Sequence, residues 1–367
     1  MKKILLLGGG HAHVHVLKSL IDSPLEDVEI TLVSPYARQV YSGMLPGWVA
    51  GHYTINECVI PLVPLVKKAG VVFQQTAANG IDLHRNVVHC TDGSEICFDV
   101  LSIDAGPVAN LDMLPGANDN AIAIRPIESF IESIAKIRQQ VESRRDTHRN
   151  THIAFIGAGA GGVELALAMR HTFGARAEIT LISAENTLPG KVGERLLRHL
   201  ETRGVRLLRN QAAARVAPGA VLLESAQVVN ADIIIVATGT AAAAWPRKAG
   251  LATDERGFIA VNDFLQSTSH PHVFAAGDCA TMTNFSRPKS GVYAVRAGPP
   301  LAENLRRFIR GESLSAYTPQ KRSLYLVSTG DKYAIASWGN IAIEGKWVWR
   351  WKNKIDRGFM IKYALKE

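Results

Sequence analysis

The sequence predicts an α/β protein that uses one βαβ unit twice, with a small α+β region at its C-terminal end. Three observations carry this expectation. ILLLGGGHAHVHVL, from Ile4, runs into VEITLVSP, and IAFIGAGAGGVELALAM, from Ile153, runs into AEITLISA. The two stretches share a spacing, since Gly8 to Ser34 and Gly157 to Ser183 are each 26 positions (34 − 8 and 183 − 157). Beyond about residue 318 this pattern gives way to alternating strands around Thr329-Gly330-Asp331 and then to a helical period.

In the first copy, the apolar run of MKKILLL stops at Gly8 with no small-residue cleavage site after it, so it reads as a buried strand rather than a signal peptide. The glycines that follow let the backbone turn tightly and approach a pyrophosphate without Cβ clashes. The next helix then aims its unpaired N–H groups and about half a positive charge at that anion. Gly8 and Gly10 fit this turn, and His13 stands where the third glycine belongs; Gly157, Gly159 and Gly162 fill all three positions of the second copy. His11 is expected at the helix start beside the phosphates, and His15 as an ordinary helix residue. His11 and His15 lie one helical turn apart, but no acidic or cysteine ligand accompanies them, so no metal is assigned.

An acidic residue usually ends the second strand of such a unit and grips a ribose hydroxyl. Here Ser34 and Ser183 stand there, with Glu185 two residues on in the second copy. No arginine is next to Ser183 to favour a 2′-phosphate, so NADH is preferred over NADPH. Between the copies, short strands with turns at Asn79-Gly80 and Asp92-Gly93 lead to FDVLSIDAG (98–106). After the second copy, ADIIIVATG (231–239) repeats that shape, and HPHVFAAGDCA (270–280) follows. The expected domains are 1–120 with 246–318, then 121–245, then a C-terminal region 319–367.

In that last region Trp347, Trp349 and Trp351 are expected on one face of a strand, and Ile355, Phe359 and Tyr363 on one face of a helix. Lys346, Arg350, Lys352, Lys354, Arg357, Lys362 and Lys366 face only Asp356 and Glu367. Aromatic and basic residues on an amphipathic end suit an anionic lipid surface, or a dimer contact. The 367-residue chain is globular in composition, 47% hydrophobic and 20% charged, and no apolar run reaches the ~18–20 residues that cross a bilayer. Its formal charge of +8 comes without a nucleic-acid recognition motif, so no nucleic acid is expected. Cys58, Cys90, Cys97 and Cys279 form no CxxC pair, which points to a reduced, cytoplasmic protein.

Together these motifs resemble the pyridine nucleotide-disulfide oxidoreductase superfamily, with its glutathione-reductase-like FAD/NAD(P) fold, over residues 1 to about 310. The resemblance implies two Rossmann-like domains, FAD on the first glycine turn and NAD(P)H on the second. It assigns Asp278, in VFAAGDCA, to the ribityl chain of the flavin. Lys289 and the backbone at Gly291, in PKSGVYAVRAG, fall at the flavin pyrimidine, and Glu164, in GGVELA, near nicotinamide and flavin. Gly43, Met44, Ala78, Gly106 and Gly239 become cofactor contacts on the same basis. GGGHAHVHVL and YSGMLPGWVAGHY (41–53) are similar to the narrower type II NADH dehydrogenase-like group found in some bacteria fused ahead of a selenophosphate synthetase. No synthetase follows here, so a free-standing member or an excised portion is expected.

The cysteines then bear on the acceptor. None lies between Cys97 and Cys279 or after it, which argues against a disulfide or sulfide mechanism. The expected activity is FAD-dependent NAD(P)H dehydrogenation with a quinone-like acceptor, peripheral on the inner face of the cell membrane. Two alternatives stay open. One is a reductase of a soluble or selenium-related acceptor, and the other a slow-turnover nucleotide-binding sensor or scaffold, motivated by the two serines and His13.

Overall fold

The computed structural model describes residues 1–144, 149–185, 190–339 and 341–365. β1 (Lys2–Leu7) enters the first glycine turn and α1 (His11–Asp22), followed by β2 (Val28–Val33), β3 (Val72–Gln74) and β4 (Val100–Ile103). Next come β5 (Ile122–Ala123), α2 (Ile127–Ser143), β6 (Thr151–Ile156), α3 (Ala160–Phe173), β7 (Ala177–Ile182), α4 (Gly190–Thr202), β8 (Val205–Leu208) and β9 (Ile233–Val236). The chain then forms β10 (Val273–Ala275) and α5 (Gly291–Arg310). It ends in β11 (Leu324–Ser328), β12 (Ala334–Trp338), β13 (Ile341–Gly345) and α6 (Lys346–Tyr363).

Two parallel five-stranded sheets result, in the orders β10-β4-β1-β2-β3 and β5-β9-β6-β7-β8. Both are Rossmann-like cores. The 26-residue spacing of the sequence is their strand register, because Lys2 pairs with Val28 and Thr151 with Ala177 (28 − 2 and 177 − 151). Helices cover both faces of such a sheet, so its strands are apolar throughout; Ile4 to Leu7 and Ile153 to Ile156 are all buried.

The two units differ at the third glycine. A Cβ on Gly162 would fall 2.2 Å from the Gly157 carbonyl oxygen, so α3 lies close against the turn. In the first unit the fully buried His13 fills the corresponding space. Its Nδ1 donates to the Gly8 carbonyl at 2.6 Å, and its Nε2 accepts the Ser102 hydroxyl at 2.8 Å. Burial lowers its pKa to about 4, which keeps the ring neutral in this arrangement. α1 in turn crosses α5 closely, since a Cβ on Gly298 would lie 2.6 Å from His15 Cβ.

Two expectations fail locally. Asn79-Gly80 is no turn: both residues lie inside strand Ala78–Asp82, where the pairing with Val87–Cys90 shifts register as a bulge. Asp92-Gly93 is a turn, with Gly93 N–H bonded to the Cys90 carbonyl and φ of +85°. The three tryptophans are not on a strand either. Gly345, at φ +154°, ends the C-terminal sheet, and α6 starts at Lys346. Helical geometry splits the tryptophans: Trp347 and Trp351 share an exposed face with Ile355, while Trp349 packs against His52. Phe359 and Tyr363 pack inward, whereas Ile355, expected on the same face, is exposed. Lys352 is buried rather than part of a basic surface, and Lys366 lies outside the described residues.

Restoring the motif glycine tests the packing of α1. His13→Gly strips partners from the Gly8 carbonyl and Ser102 and leaves a void, so it lowers unfolding free energy by about 2–4 kcal/mol. Urea denaturation reads this directly, and an unchanged or raised midpoint contradicts it.

Candidate functional site

The site forms where the two glycine turns, the start of α5 and the inner face of α6 converge. At the first turn the protein supplies an anion of its own. Asp104, one residue past β4 and buried, accepts N–H bonds from Ala12 at 2.7 Å and His13 at 3.0 Å through Oδ2. A Cβ on Gly10 would lie 2.3 Å from its carboxylate, and one on Gly277 would lie 2.4 Å from its Oδ1. Burial raises the Asp104 pKa to about 7 against the pull of the two N–H bonds. His11 opens α1, with its ring between Tyr41 and Phe359 and its Nδ1 accepting from Gln39 at 3.3 Å.

The second turn has no such carboxylate. Gly157 stands against Ala237 as Gly8 stands against Asp104, while Gly159, Gly161 and Gly239 all face open space. Gly159 caps α3 without a side-chain bond. The result is an open cradle at a helix N-terminus, which fits the pyrophosphate of a nicotinamide nucleotide. Both strand-end serines turn inward. Ser34 donates to the Tyr36 carbonyl at 3.0 Å, and Ser183 donates to the Glu185 carbonyl. Glu185 is exposed, and the structure brings Arg209 near the same strand end, because Ser183 N–H bonds the preceding Leu208 carbonyl. Sequence neighbours alone did not reveal that arginine.

The third element is the α5 start. Ser290 caps α5 in position but makes no side-chain cap bond, and its Oγ is buried without a partner among the described residues. Asp278 is mostly buried, and its nearest cation is Arg125, at 3.8 Å. Burial raises the Asp278 pKa and lowers that of Arg125, so each depends on a charged neighbour. An orphan hydroxyl, uncapped helix N–H groups, a carboxylate and a half-buried arginine together fit the pyrimidine and ribityl parts of a flavin. Ser290, Arg125 and Asp104 were missed in the sequence; an isolated residue of a common type carries no spacing signal. Lys289 instead donates to the Ala280 carbonyl and to Thr281 Oγ1 at 2.7 Å, with its ammonium 4.1 Å from the Phe258 ring centroid.

The remaining candidates divide between turns and core. Gly43 lies in the turn Ser42–Met44, near α5, whereas the Met44 side chain is buried against Tyr53 and Cys58. Ala78 is partly buried in its strand, and Gly106 adopts φ +73° over open space. Glu164, on α3, accepts from Ser328 N–H at 2.7 Å. Burial raises its pKa, and the Lys352 ammonium from α6 pulls it back down. The four cysteines are free, and Cys279, which donates to the Ala276 carbonyl at 3.1 Å, is pushed up to about 12 by burial.

Residues 2–298 match the family model described as pyridine nucleotide-disulphide oxidoreductase. Among curated proteins, the chain is 26% identical over 331 residues to the NADH dehydrogenase-like protein YutJ of Bacillus subtilis, covering 87% of each. It is 26% identical over 293 residues to the demethylphylloquinone reductase NdbB of Synechocystis sp., covering 76% of this chain and 72% of that one. Among solved structures, the sulfide:quinone oxidoreductase of Aquifex aeolicus superposes with a TM-score of 0.81 at 20% identity. That match covers 99% of this chain and 91% of that one.

Asp104 gives the site a pH signature. Its folded pKa of about 7 lies above the ordinary 3.8, so the fold binds its proton more tightly than the unfolded chain does. Its contribution to stability is therefore full below the ordinary value and lost as pH rises through about 7. In flavin-free protein, the stability of the wild type relative to Asp104→Asn should fall between about pH 4 and 7. Urea midpoints that run parallel across that range contradict the assignment.

Proposed function

The chain belongs to the pyridine nucleotide-disulphide oxidoreductase family, and from that premise we propose an FAD-dependent NAD(P)H dehydrogenase that passes electrons to a quinone without a redox disulfide. That it is an oxidoreductase using a flavin and a nicotinamide nucleotide follows from its family and relatives. The observation that carries the finer reading is the unsatisfied polar set at the α5 start, beside a second, open glycine cradle on α3. A bound flavin supplies the two-electron relay between nicotinamide and acceptor.

The protein's own part is to hold and orient. The N–H groups at Gly159 and Ala160, unbonded among the described residues, would hold the nucleotide pyrophosphate, and Glu164 on the same helix would lie towards the nicotinamide. Asp278 would accept from a ribityl hydroxyl, with Arg125 balancing its charge. Ser290 and the α5 N-terminus favour negative charge at the pyrimidine edge. Cys58 and Cys90 are buried, and the high pKa of Cys279 leaves little thiolate at neutral pH, which supports a route without a disulfide. The quinone reading draws on the relative named as a demethylphylloquinone reductase and on the neighbour named as a sulfide:quinone oxidoreductase. NADH is proposed over NADPH because the Glu185 carboxylate repels a 2′-phosphate, although Arg209 acts in the opposite sense.

The C-terminal region supports a peripheral site on the inner face of the cell membrane. Trp338, Ile341, Trp347, Trp351 and Ile361 are exposed there, next to Lys346, Arg350 and Lys354. Among the described residues no helix is long and apolar enough to cross a membrane. The same face could pair two copies of the chain. A nucleotide-binding sensor is favoured by one observation, the Asp104 carboxylate holding donors at the α1 start.

Anaerobic titration decides among these readings. NADH should bleach a bound flavin faster than NADPH, and a quinone should restore the colour; a flavin that neither nucleotide reduces contradicts the proposal. Gly159→Val fills the cradle, so KM for the nucleotide should rise about tenfold or more while flavin content holds. An unchanged KM removes Gly159 from the site. The full chain should sediment with anionic vesicles and not with neutral ones; a dimer by light scattering with no vesicle binding assigns the face to a second copy.

A further inference from the structure

The turn between β11 and β12, residues 329–333, meets three other parts of the chain. Thr329 is fully buried, and Gly330, at φ +91°, sits so close to α3 that a Cβ there would collide with the Leu167 carbonyl oxygen. From the first unit, His52 Nε2 donates to the Gly330 carbonyl at 2.9 Å. From the second, Arg203, just past α4, donates to Asp331 Oδ1 at 2.9 Å. Immediately before the turn, Ser328 N–H donates to Glu164 Oε1 at 2.7 Å. Burial raises the Glu164 pKa, and Lys352 and this N–H bond pull it back down. The placement of the turn therefore decides whether Glu164 keeps its backbone donor.

His199 secures the turn from the α4 side. Its Nε2–H donates to Glu344 Oε2 at 3.2 Å, and its Nδ1 accepts from Arg203. Arginine only donates, so this pair of bonds requires a neutral ring protonated at Nε2. Arg203 holds the ring with one nitrogen and Asp331 with another, and Asp331 Oδ1 also accepts from Thr329 Oγ1 at 2.8 Å. Glu344 Oε1 pairs with Arg195 at 2.9 Å, with Arg198 at 3.9 Å, and the Tyr333 ring centroid lies 5.2 Å from the imidazole. The charged and titratable groups around His199 are thus Arg195, Arg198 and Arg203 along its own helix, Glu344 from β13, and Asp331 and Tyr333 from the turn. Burial lowers the His199 pKa from 6.5; Glu344 opposes this and Arg203 adds to it. Arg195 and Glu344 alone would join α4 to the sheet. The imidazole adds a link that depends on its protonation state.

We propose that His199 is a positioning residue for nucleotide oxidation: its neutral ring joins Arg203 to Glu344 and holds the turn that serves Glu164, and protonation at Nδ1 releases that turn. This role rests on the NAD(P)H dehydrogenase reading above. A protonated Nδ1 presents an N–H to a side chain that has no acceptor, so the Arg203 bond is lost and two cations meet. The turn loosens and Glu164 loses its donor, after which the carboxylate takes up a proton more readily. The reaction needs that carboxylate charged. The nicotinamide ring becomes positive as its hydride passes to the flavin, and a nearby negative charge favours the change.

Flavin-loaded wild type, His199→Gln and His199→Leu are compared between about pH 5 and 8. Glutamine supplies one acceptor and a donor without titrating, so both bonds persist; leucine supplies neither. Under anaerobic conditions with saturating NADH, flavin reduction in the wild type should slow about tenfold towards the acid end. His199→Gln should stay within about threefold of its own rate at the alkaline end, because its hydrogen bonds do not change with pH. His199→Leu should show the slow rate throughout. Independently of turnover, amide hydrogen exchange reads the turn itself. Thr329 N–H bonds the Tyr333 carbonyl at 3.1 Å, and Tyr333 N–H bonds the Asp331 carbonyl at 2.7 Å. Corrected for intrinsic exchange, their protection should fall with pH in the wild type, hold in His199→Gln and be weak in His199→Leu at every pH.

An acid limb shared by the wild type and His199→Gln overturns the role, as does a turn equally protected in all three proteins. A wild-type rate in His199→Leu overturns it as well. If NADH reduces the wild-type flavin equally fast at every pH, only the histidine role falls. If neither nucleotide reduces that flavin at any pH, the dehydrogenase reading itself fails and the role goes with it.

Discussion

Asp104 meets three parts of the chain at once: the end of β4, the first N–H groups of α1 and the turn at Gly277. Its carboxylate leaves no room for a side chain at Gly10 or Gly277, and its backbone oxygen leaves none at Gly8. Three glycines, two in the first turn and one far along the chain, are thus required by one residue. The same contact decides the electrostatics of the first turn, because a buried carboxylate already sits in the field of the helix start. Neutral, it acts as a cap; ionised, it opposes any anion that approaches α1.

The second unit repeats the backbone with a different solution. Ala237 replaces the carboxylate, Gly162 replaces the histidine, and the helix start is left open. An internal repeat therefore keeps its register while its two copies diverge in charge and in packing distance. His13 shows why this costs little in stability: its ring meets the Gly8 carbonyl and the Ser102 hydroxyl, so a residue larger than glycine leaves no buried polar group unpaired.

The C-terminal region ties the two units to each other: its strands meet the second, where Ser328 N–H bonds Glu164 and Glu344 pairs with Arg195, and its helix meets the first. From α6, Tyr363 reaches His15 on α1, Lys352 and Asp356 reach Gly43 and Tyr41, and Trp349 packs on His52. Its inner face carries charge and its outer face carries Trp347, Trp351 and Ile355. Both faces are therefore mixed: the inner one sets an ion pair between Val348 and Tyr363, and the outer one sets tryptophans among Arg350 and Lys354.

Strand periodicity, glycine turns and their 26-residue spacing were legible in the sequence, because they are local consequences of backbone geometry repeated at a fixed interval. So were Gly157, Gly159 and Gly162, whose positions within one turn carry their own signal. The Asn79-Gly80 bulge and the helical tryptophans were not legible, since pairing partners and a sheet end overrode the local pattern. Nor were Ser290, Arg125, Asp104 and the Lys352–Asp356 pair, which are single residues of common types. By itself the sequence determined the two units and their order. Only the tertiary structure decided which charges lie buried beside the turns, because burial and partners are properties of elements brought together from distant parts of the chain.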